Sequence, residues 1–105
     1  MLTYSLKDKD RMFNLILWET AKKVRLEDEK LMLYKHSFMY DKLDPKLVLF
    51  YKVLHHFGFT QEDIRKKAGV SRNFMTNLYE ENRRYINSDR LKKDMEVLIE
   101  KIQLL

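Results

Sequence analysis

The chain contains no cysteine, which removes disulfides, thiolate nucleophiles and cysteine-ligated metals from consideration. Glycine occurs twice and proline once in 105 residues. All-β folds use both residue types freely in turns, so this scarcity favours helices. No stretch approaches the ~20 apolar residues that a membrane span needs. The opening segment MLTYSLKDKDRMFNLILWETAKK does not read as a secretory leader. Its apolar run is short, Asn14 interrupts it, and no small-residue cleavage site follows. Together these absences lead us to expect a cytoplasmic, all-α protein without a membrane partner.

What is present is ordinary for a globular domain. Apolar residues make up 45% and charged residues 35%, too apolar a balance for a disordered chain. The length predicts one domain with a modest core. The net charge is +5, and its distribution carries more information than its size. Residues 1–44 hold nine Lys/Arg against eight Asp/Glu, whereas residues 45–105 hold twelve against eight. The cationic surplus, and with it any attraction for an anionic partner, therefore lies in the second half.

Between Ser5 and Leu43 there is neither glycine nor proline. Phe13, Leu17, Thr20, Ala21, Val24, Leu31, Tyr34 and Phe38 recur at helical spacing along one face. The acidic cluster Glu27-Asp28-Glu29 suits a helix N-terminus, where carboxylates meet the positive end of the dipole. The pattern predicts helices over 7–24 and 27–42, with one continuous helix as the alternative. Asp44-Pro45 starts the next helix, 45–57, whose apolar side is Leu47, Phe50, Tyr51, Leu54 and Phe57. Gly58 ends it. Thr60 caps a helix over 61–68, Gly69 breaks it, and Ser71 caps a helix over 72–80. The polar run EENRRYIN is expected to be a loop. Ser88 caps a last helix over 89–103, with Leu91, Met95, Leu98, Ile99 and Ile102 on one face.

The stretch TQEDIRKKAGVSRNFMTNL meets the physical needs of a helix-turn-helix. Gly69 tolerates the left-handed backbone of the turn. Ile64, Ala68, Val70, Met75 and Leu78 fill the inward positions, and Ala68 is small enough for close helix approach. The outward positions of the second helix are Ser71, Arg72, Asn73, Thr76, Asn77 and Glu80. Arg can bond guanine bidentately, Asn can bond adenine, and Ser or Thr can serve bases or phosphates. Lys66-Lys67, beside the motif, has the best claim among the lysine pairs to a phosphate role.

With these residues in place, the segment from about Leu47 to Leu98 resembles the phage Cro/repressor-type, or Xre-like, helix-turn-helix family. Thr60-Gln61-Glu62, Ala68-Gly69-Val70-Ser71, Leu78 followed by Glu80, Arg83-Arg84 and the closing amphipathic helix follow the family's order, with one extra residue near Glu81. The resemblance implies a DNA-binding regulator, a repressor of a phage, plasmid or mobile element. It would act as a dimer on half-sites about one helical turn apart. It further implies base contacts from Ser71, Arg72, Asn73, Thr76 and Asn77, and phosphate contacts from Gln61, Arg83 and Arg84. One departure stands out. Where this family nearly always places alanine after Ile64, the chain has Arg65. A side chain of that length must reach outward or hold the helices apart. Phe74 either contacts a thymine methyl or packs on the N-terminal region.

Residues 1–44 lie outside the resemblance and form an N-terminal extension, expected to make one compact unit with 45–105. Met12, Trp18, Met32, Leu33, Met39 and Tyr40 lie off the main apolar stripe. A helix apolar on two sides needs two neighbours. Trp18, Met32, Met39 and Tyr40 are therefore expected at a homodimer interface. His55-His56 cannot easily share a metal, because adjacent helical residues diverge by about 100°. No partner set for catalysis accompanies the carboxylates. We expect no cofactor, no metal and no enzymatic activity. The alternative to DNA binding is a protein-interaction module (an antitoxin, an inhibitor or an anti-defence protein) with a protein partner on the same scaffold.

Overall fold

The computed structural model describes residues 6–23 and 45–105. Among them lie six helices and no strand: α1 (Leu6–Lys23), α2 (Pro45–His56), α3 (Gln61–Ala68), α4 (Arg72–Glu81), α5 (Arg83–Ile86) and α6 (Asp89–Gln103). The fold is all-α. The predicted 27–42 helix falls outside the described residues, and with it the choice between two N-terminal helices and one. Met32, Met39 and Tyr40 of the expected dimer interface fall outside them too.

Helix α2 is the centre of the molecule. It buries Leu47, Val48, Leu49, Phe50, Tyr51, Val53 and Leu54, which is more than the single apolar side read from the sequence. A helix buried on most of its circumference needs neighbours on several sides. Helices α1 and α6 supply them, packing on α2 and on each other, and α3 covers the C-terminal end. From α1, Phe13 meets Phe50 edge-on with ring centroids 5.3 Å apart, and reaches Phe59 at 6.3 Å. Ile16, Leu17 and Ala21 are buried beside it. Thr20 is buried as well, its hydroxyl donating to the Ile16 carbonyl at 2.7 Å.

Polar links fasten α1 to the C-terminal half. Lys9 Nζ donates to Asp63 of α3 at 3.2 Å, Lys23 pairs with Asp94 of α6 at 3.4 Å, and Lys67 of α3 pairs with Asp10. Glu19 is only 3% exposed, yet its carboxylate lies 3.1 Å from Lys101 of α6 and 3.4 Å from Lys22. Both ammonium ends keep access to water, so the buried carboxylate is compensated without burying a second charge.

Local chemistry explains the helix ends. At the start of α3, Thr60 Oγ1 accepts from the Asp63 N–H at 3.1 Å, and Asp63 Oδ2 accepts from the Thr60 N–H at 3.0 Å. This reciprocal box satisfies two otherwise orphaned donors. Thr60→Ala is expected to lower stability by ~0.5–2 kcal/mol, measured by urea denaturation at neutral pH. The Asp63 carboxyl is held below its ordinary value of 3.8, chiefly by the Thr60 backbone N–H and against a smaller opposing effect of burial. A depressed acid stabilises the fold at pH above its ordinary value. That contribution disappears as pH falls through the lowered one. Asp63→Asn should therefore lose this part of the acid dependence.

The run EENRRYIN is not the loop its polarity predicts. Helix α4 extends to Glu81, and α5 adds one further turn. The buried Asn82 donates its side-chain N–H to the Leu78 carbonyl at 2.9 Å, closing α4. Tyr85 is half-buried and donates to Asp94 at 2.8 Å, and the Ser88 hydroxyl donates to the Tyr85 carbonyl at 2.6 Å. Burial first, and then the Asp94 bond, push the Tyr85 phenol far above its usual range. Tertiary partners thus order a stretch that composition alone assigns to solvent.

Candidate nucleic-acid interface

The α3–turn–α4 unit is built from caps and one glycine. Gly69 has φ 71°, a left-handed conformation that favours glycine, and the N–H groups of Gly69 and Val70 both donate to the Arg65 carbonyl, at 2.8 and 3.1 Å. Ser71 then caps α4, its hydroxyl accepting from the Phe74 N–H at 3.0 Å. Ile64, Ala68, Val70, Met75 and Leu78 are all buried, as their spacing indicated. Ser71, Arg72, Asn73, Thr76, Asn77 and Glu80 are all exposed on the opposite side of α4. Phe74 is half-buried and packs on the core, which favours the packing role over a thymine contact.

Comparison with family models, with curated proteins and with solved structures finds no match.

Arg65 does not keep Ile64 and Ala68 out of the core. Its guanidinium turns to Glu62 on the same helix, donating from Nε at 3.2 Å and from Nη2 at 3.0 Å, while Ile64 and Ala68 remain fully packed. The carboxylate extends further, to Arg72 at the start of α4, whose Nη2 lies 3.2 Å from Oε1. Arg72 itself is 79% exposed at its side chain and open to a ligand. Glu62 is held below the usual carboxylate range, chiefly by the Arg65 hydrogen bond, so it stays ionised. The sequence makes the Glu62–Arg65 pair legible as an i,i+3 spacing. It gives no sign of the link to Arg72, ten residues on.

The expected phosphate contacts divide. Lys66 and Arg84 are exposed, and Arg84 makes no ion pair with a described residue. Arg83 is exposed but bonded to Glu80 at 2.5 Å. Lys67 is turned toward α1, where it pairs with Asp10 and sits 5.9 Å from the Phe13 ring centroid. Its charge is thus engaged within the fold, because Asp10 and the ring face it from α1. Gln61 is exposed at the N-terminus of α3 and lines a cleft of about 80 Å³ with Lys52, His55, Ile64 and Tyr79.

The sequence pattern did not single out Lys52 or Tyr79 of this cleft. Lys52 of α2 lies 5.1 Å over the Tyr79 ring, and burial raises the Tyr79 phenol. His55 Nδ1 lies 3.0 Å from the Phe59 carbonyl, which can only accept, so Nδ1 donates this bond. Helical spacing from Lys52 to His55 places both on one face of α2. Only the packing of α3 and α4 brings Gln61 and Tyr79 to that face. No group of three or more His, Asp or Glu side chains with metal-binding proximity occurs among the described residues. No described helix is long and apolar enough to cross a membrane.

Proposed function

We propose that the chain is a sequence-specific DNA-binding regulator, a transcriptional repressor of a phage, plasmid or mobile element that works in the cytoplasm. In this reading α4 enters the major groove, and Ser71, Arg72, Asn73, Thr76 and Asn77 read base edges. Gln61, Lys66, Arg83 and Arg84 hold phosphates, with Lys67 in reserve behind its Asp10 contact. A homodimer supplies two half-sites about one helical turn apart, and the exposed Trp18 is the described residue that would contribute to its interface. No cofactor and no chemical step are part of this function.

The observation that supports it most is the division of α4. One side is locked into the core by Met75 and Leu78, and the other is an uninterrupted run of short or planar polar side chains in the open. A titration of labelled random duplex by fluorescence polarisation, at two salt concentrations, tests it. Binding should weaken steeply with salt, as counterion release demands. Arg72→Ala should cost ~1–3 kcal/mol against a preferred site and relax the preference at one base pair, read by selection from a random pool. Salt-insensitive or undetectable binding at low salt would remove the proposal.

A second reading has a specific observation in its favour. Two cations of the face are paired with carboxylates, Arg72 with Glu62 and Arg83 with Glu80, which lowers its net attraction for phosphate. A face of alternating charge also suits another protein. In that case α4 would grip a protein partner, as in an antitoxin, an inhibitor or an anti-defence protein.

A further inference from the structure

Glu62 stands between two arginines that the chain separates by seven residues. Arg65 grips both of its oxygens, Nε to Oε1 at 3.2 Å and Nη2 to Oε2 at 3.0 Å. Arg72 reaches the same Oε1 with Nε at 3.3 Å and with Nη2 at 3.2 Å. The two-point hold by Arg65 fixes the direction of the carboxylate, as a planar guanidinium does with both oxygens. The contact therefore presents a positioned acceptor to Arg72.

A guanidinium has five N–H donors. Glu62 engages Arg72 along its Nε–Nη2 edge, so the Nη1 group and one N–H of Nη2 remain for a ligand. Those donors match two neutral acceptors side by side, which the O6 and N7 atoms of guanine provide. A phosphate would also accept from them, but it brings its own negative charge close to the Glu62 carboxylate. A fixed like charge penalises an anionic acceptor far more than a neutral one.

We propose that Glu62 sets the specificity of the recognition helix: anchored by Arg65, it orients Arg72 for a two-acceptor base edge of the guanine type and turns that arginine away from phosphate. Glu62 is a positioning residue that acts through Arg72, and its role rests on the DNA-binding reading above. The ionised state of Glu62, sustained by Arg65, is what the device requires.

The test compares wild type, Glu62→Gln, Arg72→Ala and the double variant. Two probes are used: a random duplex pool, and the duplexes that the wild type enriches from that pool. Glu62→Gln keeps the shape and removes the charge. It should tighten binding to the random pool by ~3–10-fold and lower the enriched-to-random affinity ratio by ~5-fold or more. In the Arg72→Ala background the same change should leave the ratio where Arg72→Ala put it. Arg65→Met is the second variant. It leaves the carboxylate charged but unanchored, so the ratio should fall without tighter binding to the random pool. Circular dichroism confirms the fold of each variant, and Arg65→Met carries the test if Glu62→Gln does not fold. Where the wild type binds DNA, an unchanged ratio in Glu62→Gln overturns the role of Glu62 alone. A ratio that drops equally in the Arg72→Ala background does the same, since the effect would then be a general field. A wild type that binds neither pool at about 50 mM salt overturns the DNA reading and this inference together.

Discussion

Phe50→Ala is expected to destabilise the protein by ~3–5 kcal/mol, the largest loss from any single truncation considered. The ring is fully buried at the middle of α2. It meets Phe13 edge-on at 5.3 Å and Tyr51 at 5.6 Å, so its removal empties the point where α1 leans on α2. Two terms add: the lost transfer of a large apolar side chain from water, and the cavity left between rings that cannot all collapse into it. A domain of this size has ~5–15 kcal/mol in total, so the variant should be close to unfolding at physiological temperature. Denaturant midpoints measured by circular dichroism and by Trp18 fluorescence should fall together. Phe50→Leu should recover most of the loss. A cost below ~1 kcal/mol for the alanine variant would contradict the central position of this ring.

Met75→Ala is expected to cost ~2–5 kcal/mol and to harm α4 more than the rest of the fold. Met75 is fully buried, and together with Leu78 it supplies the completely buried part of α4. The other apolar residues of that helix, Phe74 and Tyr79, are only half-buried. Helix α4 spans ten residues, too short to persist without tertiary packing. Losing one of two anchors should therefore raise local opening of α4 before the core of α1, α2 and α6 opens. Amide hydrogen exchange should show protection lost first over Arg72–Glu81, and under the proposed function DNA affinity should drop out of proportion to global stability. Met75→Leu conserves volume and should stay within ~1.5 kcal/mol of wild type. Uniform loss of protection across all helices would mean that α4 is not a separately weak unit.

Much of this molecule is legible in the residues because the relevant forces are local. Pro45, Thr60, Gly69, Ser71 and Ser88 place helix ends within a few residues of where they occur, since a cap or a left-handed turn involves neighbours three or four positions away. The inward positions Ile64, Ala68, Val70, Met75 and Leu78 follow from helical spacing, as do Phe13, Leu17, Thr20 and Ala21 on α1. Burial of Ile16, Glu19 and Phe59 was not foreseen. The stripe on α1 is wider than a single row, and Glu19 is charged; besides the local Lys22, its burial is compensated by Lys101, which arrives from the far end of the chain.

The candidate site divides along the same line. Helical spacing alone fixes that Ser71, Arg72, Asn73, Thr76 and Asn77 share a polar face, and that face is exposed. It cannot decide which cations of the surrounding surface are available. Lys66 and Lys67 are adjacent and chemically equal, yet α1 brings Asp10 and Phe13 to Lys67 and leaves Lys66 in solvent. Arg65 has the length to wedge α3 from α4, and instead its guanidinium is drawn to Glu62. Ion pairs between long side chains depend on where distant backbones cross, and a few ångströms there change the partner. The sequence by itself determined five of the six described helices, the caps Thr60, Ser71 and Ser88, the turn at Gly69 and the polar face of α4, because each depends on short-range geometry. Tertiary structure decided that α2 is the buried centre, that EENRRYIN contains a helical turn and that Arg72 shares Glu62 with Arg65, because each depends on elements meeting across the fold.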